Sequence, residues 1–201
     1  MAQDPAEAKT GEPALTFTRR ARRAQIIDVT IELLAEHGYS GVSLSQIADR
    51  AGVTKPTVLY HFTDKSNLVS GVYRYVLGAV VESVGDAIES AEVGDRPGVY
   101  VRSMVNHFLR HPSHARVTIE ARIHGNERTE SSARWQPVAD LLRAARKALG
   151  AAESAELRTA ALIIGGAIDA VVAEAAEDPQ FDAVAASEEI VELIETRYLA
   201  G

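Results

Sequence analysis

Two helix-start signals with a glycine between them constrain this chain more than any other feature. Ser43 is followed three residues later by Gln46, the form of a capping box, in which two side chains satisfy amide protons that a first helical turn leaves open. Thr54 is a second cap, and Pro56 falls in the turn after it, where a missing amide proton costs nothing. Between them Gly52 tolerates the positive φ of a tight turn. The pattern predicts a short helix from Ser43 to Gly52, the turn Ala51-Gly52-Val53 and a second short helix to about Phe62. Ala48 is the small residue needed where the two helices cross, and Ile47, Ala51, Val53 and Val58 are the apolar positions that lock one onto the other. This is a helix-turn-helix.

The flanking sequence continues the helical pattern. From Arg20 to His37 apolar residues recur at helical spacing, with Ile27, Ile31 and Leu34 on one stripe and Ile26, Val29 and Leu33 beside it, and Gly38 is a good stop. Asp64 opens a much longer pattern through Leu68, Val72, Val76, Val80 and Val84 to about Ala91. Further helices are expected over about 98–110, 113–123, 131–149, 154–177 and 183–199, with breaks at Gly94 to Pro97, at Pro112 and around Gly125 and Asn126. No segment alternates apolar and polar residues as a half-buried strand would, so the expected fold is all-α. The expected organisation is a polar, disordered tail over 1–18, a three-helix helix-turn-helix domain over 19–66 and a further helical domain over 67–201.

Charge separates the same regions. The net charge is −7, yet residues 19–65 hold seven bases against five acids, and four of those bases lie between Arg19 and Arg23. The remainder is acidic, with 13 bases against 20 acids over 66–201. Local charge, not the total, decides what a surface attracts, so the asymmetry suggests two jobs. The plainer reading of the arginine cluster alone is a solvated helix face.

Absences narrow the chemistry. With no cysteine there are no disulfides, thiolate nucleophiles or Cys-ligated metals, and a reducing cytoplasm suits the chain. The longest run free of Asp, Glu, Lys, Arg and His, Gly38 to Ala48, is far short of the ~20 apolar residues a bilayer requires, so no membrane partner is expected. There is no nucleophile elbow and no glycine-rich phosphate loop, so neither an enzyme nor a cofactor is expected. His107 and His111 stand at i, i+4 with His114 nearby, a spacing able to ligate zinc. Pro112 interrupts that helix and no general-base motif accompanies it, so surface histidines and no metal are the favoured reading.

The run Ala24 to Lys65 resembles the DNA-binding domain of the tetracycline-repressor (TetR) family, over about a quarter of the chain. The resemblance is carried by His37-Gly38-Tyr39, by Ser43-Leu44-Ser45-Gln46-Ile47-Ala48, by Ala51-Gly52-Val53-Thr54 and by His61-Phe62-Thr63-Asp64-Lys65. One departure is that Leu59 stands where the family commonly has Tyr, and Tyr60 lies one position late. The resemblance implies a third helix entering the major groove, with Thr54, Lys55, Pro56 and Thr57 toward base edges and Lys55 able to donate to guanine. It further implies that Ser43, Ser45, Tyr60, His61 and Lys65 position the phosphate backbone, with Arg22 and Arg23 of the basic cluster reaching flanking phosphates or the minor groove.

For the second domain the resemblance implies a homodimer formed by the last two helices, for which Ala161, Gly165, Ile168, Ile190, Ile194 and Tyr198 are the candidate contacts. It implies also a small-molecule inducer among the middle helices. Candidates with polar handles in apolar surroundings are Tyr73, Tyr100, Met104, His107, Phe108, Arg122, Trp135 and Asp169, although such residues more often pack a core than bind a ligand. The functional expectation is a sequence-specific repressor, released from a palindromic operator when a ligand makes the long helix swing its attached reading unit. The competing expectation is a helical interaction module whose helix-turn-helix does not read DNA.

Overall fold

The computed structural model describes residues 12–124, 131–152 and 157–200, with side chains over 17–120, 135–152 and 157–200. Among the described residues the chain is helical, with α1 Glu12–His37, α2 Leu44–Arg50, α3 Lys55–His61, α4 Lys65–Glu89, α5 Arg96–Arg110, α6 Pro112–His124, α7 Ser131–Ala148, α8 Arg158–Glu177 and α9 Ala183–Leu193. The last helix closes in a wider turn over Ile194–Leu199. Helix α1 begins earlier than the apolar period suggests: Glu12 and Pro13 open it, inside the segment expected as a tail. An acid and a proline both suit a first helical turn, the one through the helix dipole and the other through its fixed φ. Residues 1–11, the rest of that expected tail, lie outside the described residues.

Two cores organise the molecule. The first joins Ile26, Ile27, Ile31 and Leu34 of α1 to Ile47 of α2, Val58 of α3, Phe62, and Leu68, Val69, Val72 and Val76 of α4. It takes one further residue from far along the chain, the fully buried Val117 of α6. The second core joins Val101 and Val105 of α5, Val138, Ala139, Leu142 and Ala145 of α7, Ala160, Ala161, Ile164 and Ile168 of α8, and Ile190, Val191 and Ile194 from α9 onward. The N-terminal half of α4, through Leu68, Val69, Val72 and Val76, is a wall of the first core. The cut expected between residues 66 and 67 falls within the first turn of a helix that the two units share.

Close crossings among α7, α8 and α9 follow from alanine, which lets helix backbones approach without a side chain between them. Two links fasten the periphery of this bundle. Arg102 of α5 holds Glu188 of α9 with two hydrogen bonds of 2.7 and 2.6 Å, and Arg146 of α7 donates to the Tyr198 carbonyl and to that of Ala152. Helix α8 is, by length and composition alone, apolar enough to cross a membrane, although Asp169 and Glu174 interrupt it. It is a wall of the second core, yet only 28% of its most apolar stretch is buried within the chain. Leu162 and Ile163 remain about half exposed on it, and Val184 and Leu193 on the neighbouring α9.

Candidate nucleic-acid interface

The local chemistry read from the sequence is present at the helix-turn-helix. Gln46 N–H donates to Ser43 Oγ at 3.2 Å, and Ser43 N–H donates to Gln46 Oε1 at 2.8 Å, closing the capping box on α2. Thr57 N–H donates to Thr54 Oγ1 at 3.3 Å, and the two threonine hydroxyls are 2.9 Å apart, so Thr54 caps α3 with Pro56 in its first turn. Gly52 takes a φ of +61° in the connecting turn, in the left-handed region that a side chain disfavours. The turn is tied back to α1, because Gln25 Nε2 donates to the Ala51 carbonyl at 3.0 Å while Arg22 holds the Gln25 side-chain oxygen at 2.6 Å.

Helix α3 is anchored on one side only. Val58 is fully buried and Phe62, just past its C-terminus, is 2% exposed, whereas Lys55, Pro56, Leu59 and Tyr60 face solvent. A helix of two turns with one buried face presents the other as a rigid, polar ridge, and its N-terminal half carries Thr54, Lys55, Pro56 and Thr57 together. Ser43 and Ser45 are exposed at the start of α2.

The arginine cluster is more engaged than a solvated face would be. The Arg23 guanidinium lies 4.8 Å from the centroid of the Phe62 ring, and that of Arg19 lies 5.4 Å from the Tyr60 ring. These contacts lay the beginning of α1 along the end of α3, and they put Tyr60, which also meets the His61 ring edge-on, beside a positive charge. Burial, followed by the charges of Arg19, Arg23 and Arg22, lowers the His61 pKa, so its imidazole is neutral at pH 7. As a phosphate contact it would offer a neutral N–H.

Lys65 is half-buried at the first position of α4. Its ammonium turns inward, donating to the Tyr39 carbonyl and lying 3.9 Å from the centroid of the Tyr39 ring. A half-buried ammonium held this way is engaged within the chain through both the carbonyl and the ring. The sequence could not reveal this, because both the carbonyl and the ring belong to the loop before α2.

In the body, Tyr100, Met104 and Trp135 each pack against the second core, and the Arg158 guanidinium lies 5.4 Å from the Trp135 ring centroid. The Tyr100 pKa is raised by burial and then by the charge of Asp169, which places that acid in electrostatic reach of the phenol. Tyr73 does not join them, because it packs on the first core. His107 is nearly buried and shares a hydrogen bond of 3.1 Å with His114, while Phe108 meets His107 edge-on. The His111 and His114 rings stack 4.9 Å apart, and among the described residues no group of three or more His, Asp or Glu is arranged to hold a metal ion. The Arg122 side chain lies outside the described residues.

The candidate dimer residues of α8 and α9 lie mostly inward within the chain. Ala161, Ile168, Ile190 and Ile194 are buried in the chain's own second core, and Gly165 and Tyr198 are half-buried. The open apolar surface belongs to their neighbours Leu162, Ile163 and Leu193, because one residue rotates a helix position by about 100°. Beside them Gly165 and Gly166 have nothing within 4 Å of where a Cβ would stand, so α8 offers a flat track for another helix.

Comparison with known proteins bears on the reading unit first. Residues 26–72 match the sequence model of bacterial regulatory proteins, tetR family. The HTH-type transcriptional regulator BetI of Burkholderia thailandensis is 34% identical over 87 residues, 43% of this chain and 44% of that protein. The fatty acid metabolism regulator protein of Bacillus subtilis is 31% identical over 71 residues, 35% of this chain and 37% of that protein. The match thus spans less than half the length of these curated relatives. The fold likeness extends further. The fatty acid degradation regulator FadR from Bacillus halodurans superposes with a TM-score of 0.77 at 23% identity, covering 88% of this chain and 97% of that one. FadR from Bacillus subtilis in complex with stearoyl-CoA superposes at 0.66 with 24% identity, covering 86% and 97%.

Proposed function

Because the chain belongs, through its N-terminal domain, to the tetR family of bacterial regulatory proteins, we propose that it is a ligand-responsive transcriptional repressor that binds a palindromic operator as a homodimer. The observation that carries this reading is α3, fixed by Val58 and Phe62 while Lys55 and its neighbours stand free on the outer face. A short helix held that way inserts its N-terminal side chains into a major groove, where a lysine donates to guanine O6 and N7. Pro56 supplies apolar contact, suited to a thymine methyl, and Ser43, Ser45 and Tyr60 with the α1 arginines hold flanking phosphates.

Homodimer formation rests on the exposed apolar residues of α8 and α9, which a second copy covers by two-fold pairing of the same faces. Such a protein works in the cytoplasm, where its DNA is. The body takes the small molecule beside Tyr100, Met104 and Trp135, and a long-chain acyl thioester of the kind in the Bacillus subtilis complex is the first ligand to test.

Selection of bound fragments from sheared native genomic DNA at near-physiological salt tests the reading, with wild type run beside the Lys55→Ala/Thr57→Ala variant. Non-specific electrostatic binding is weak there, so enrichment reports recognition. A palindromic site enriched by wild type alone is the expected result. Enrichment by neither would favour a helical interaction module over a DNA reader, whereas equal enrichment by both would take the base reading away from Lys55 and Thr57.

A further inference from the structure

Helix α6 is the element through which the body enters the reading unit. Val117 is fully buried in the first core, and Glu120, one turn later and half-buried, extends to the end of α1. Its Oε1 lies 2.9 Å from where a Cβ on Gly38 would stand, and Gly38, at φ +66°, is the residue that turns the chain from α1 into the loop. That loop carries Tyr39, whose carbonyl and ring both hold the Lys65 ammonium. Lys65 is the first residue of α4, and the Glu120 charge acts on it.

The loop after α1 thus holds the first residue of α4 through Tyr39 and meets Glu120 of α6 at the adjacent Gly38. We propose that Glu120 and Lys65 form a charged joint, closed over Tyr39, by which α6 sets the seat of the helix-turn-helix on the body. Both residues are positioning residues, and Lys65 acts here in place of a phosphate contact.

The arrangement has a physical logic. Burial lowers the Lys65 pKa, whereas Glu120 raises it, so the carboxylate favours the charged form of the ammonium. Half-buried charges are screened less by salt than surface ones, so the joint persists at ionic strengths that erase surface pairs. Helix α6 also carries His114, bonded to His107 of α5, one turn before Val117. A shift of α5 relative to α4 therefore reaches the loop before α2 through a single rigid helix. The inference rests on the regulator reading only for its consequence, since the joint itself is a statement about how the chain is held together.

The test uses Glu120→Gln and Lys65→Ala in the full chain, with two readouts. In amide hydrogen exchange, Glu120→Gln is expected to speed exchange at Gly38 to Val42 by about tenfold, with the double variant no faster than the faster single one. In binding to an enriched genomic fragment, Lys65→Ala is expected to leave the slope of log K against log salt unchanged, because no phosphate contact is lost. A slope reduced in magnitude by about 0.9 would make Lys65 a phosphate ligand and overturn the inference. Unchanged exchange at Gly38 to Val42 in Glu120→Gln would also overturn it. Should Lys65→Ala fail to fold, the exchange arm with the near-isosteric Glu120→Gln decides alone. If wild type enriched no DNA, the regulator reading would fall while exchange still decided the joint.

Discussion

The two cores are built on different principles. The first is filled by large side chains, Ile26, Ile27, Leu34, Ile47, Phe62 and Leu68 among them, each at 2% exposure or less and drawn from several short segments. The second relies heavily on alanine, with Ala139, Ala145, Ala160, Ala161 and Ala183 buried where its helices meet. Interdigitated large residues fix one arrangement, because any shift opens a cavity or forces a clash. Alanine faces are smoother, and helices packed on them slide with less penalty. The contrast suits the proposed division between a unit that reads DNA with fixed geometry and a body that changes shape around a ligand.

Removing a keystone of the first core should have the largest effect. Phe62→Ala takes out a ring that closes α3 onto α4 and lies under Arg23, and we expect a loss of about 3–5 kcal/mol in urea denaturation. A Phe62→Ala protein as stable as wild type would erase the distinction drawn between the cores. Next comes overpacking of the body: Ala145→Leu should cost about 1–3 kcal/mol by the same measurement, and less if α7 and α8 slide apart to admit the side chain. A cost above that of Phe62→Ala would mean that the second core is the more tightly specified.

Ser43→Ala sharpens the comparison locally. It removes one half of the capping box and should cost about 1 kcal/mol, while Ser45→Ala in the same helix, with no capping role, should cost far less. Equal costs would show that the cap does not set the start of α2.

The contact between the two cores' neighbouring helices α5 and α6 is probed by pH. Burial, followed by the charges of His114 and His111, lowers the His107 pKa from 6.5 to about 4, and burial then His111 lowers that of His114. The unfolded chain takes these protons first on acidification, so their contribution to stability is complete above about pH 6.5 and is lost as pH falls toward 4. His107→Phe should flatten the fall in midpoint temperature over that window. An unaltered profile would remove the α5–α6 histidine contact as its cause.

The same contrast explains what could be read in advance. Caps, the Gly52 turn and the Val58 anchor are local chemistry, written within a few residues of where they act, and the structure holds each of them at its expected place. The apolar character of α8 and α9 is legible, but which of their residues face inward is not. Whether Ile164 or Ile163 faces inward depends on where α5 and α7 lie, and no local signal carries that. Lys65 shows the same limit within the reading unit, since the groups that turn it inward come from Tyr39 and Glu120. The early start of α1 was hidden because Glu12 to Thr18 have no strong apolar period.

The central claim is that the exposed face of α3 reads base edges. Methylation interference at guanine N7, on a fragment enriched by the protein, tests it directly, because methylation blocks the atom to which Lys55 would donate. The account predicts two symmetric half-sites about one helical turn apart, each with an interfering guanine whose effect disappears in Lys55→Ala. Interference that is absent, or identical in wild type and Lys55→Ala, would contradict it.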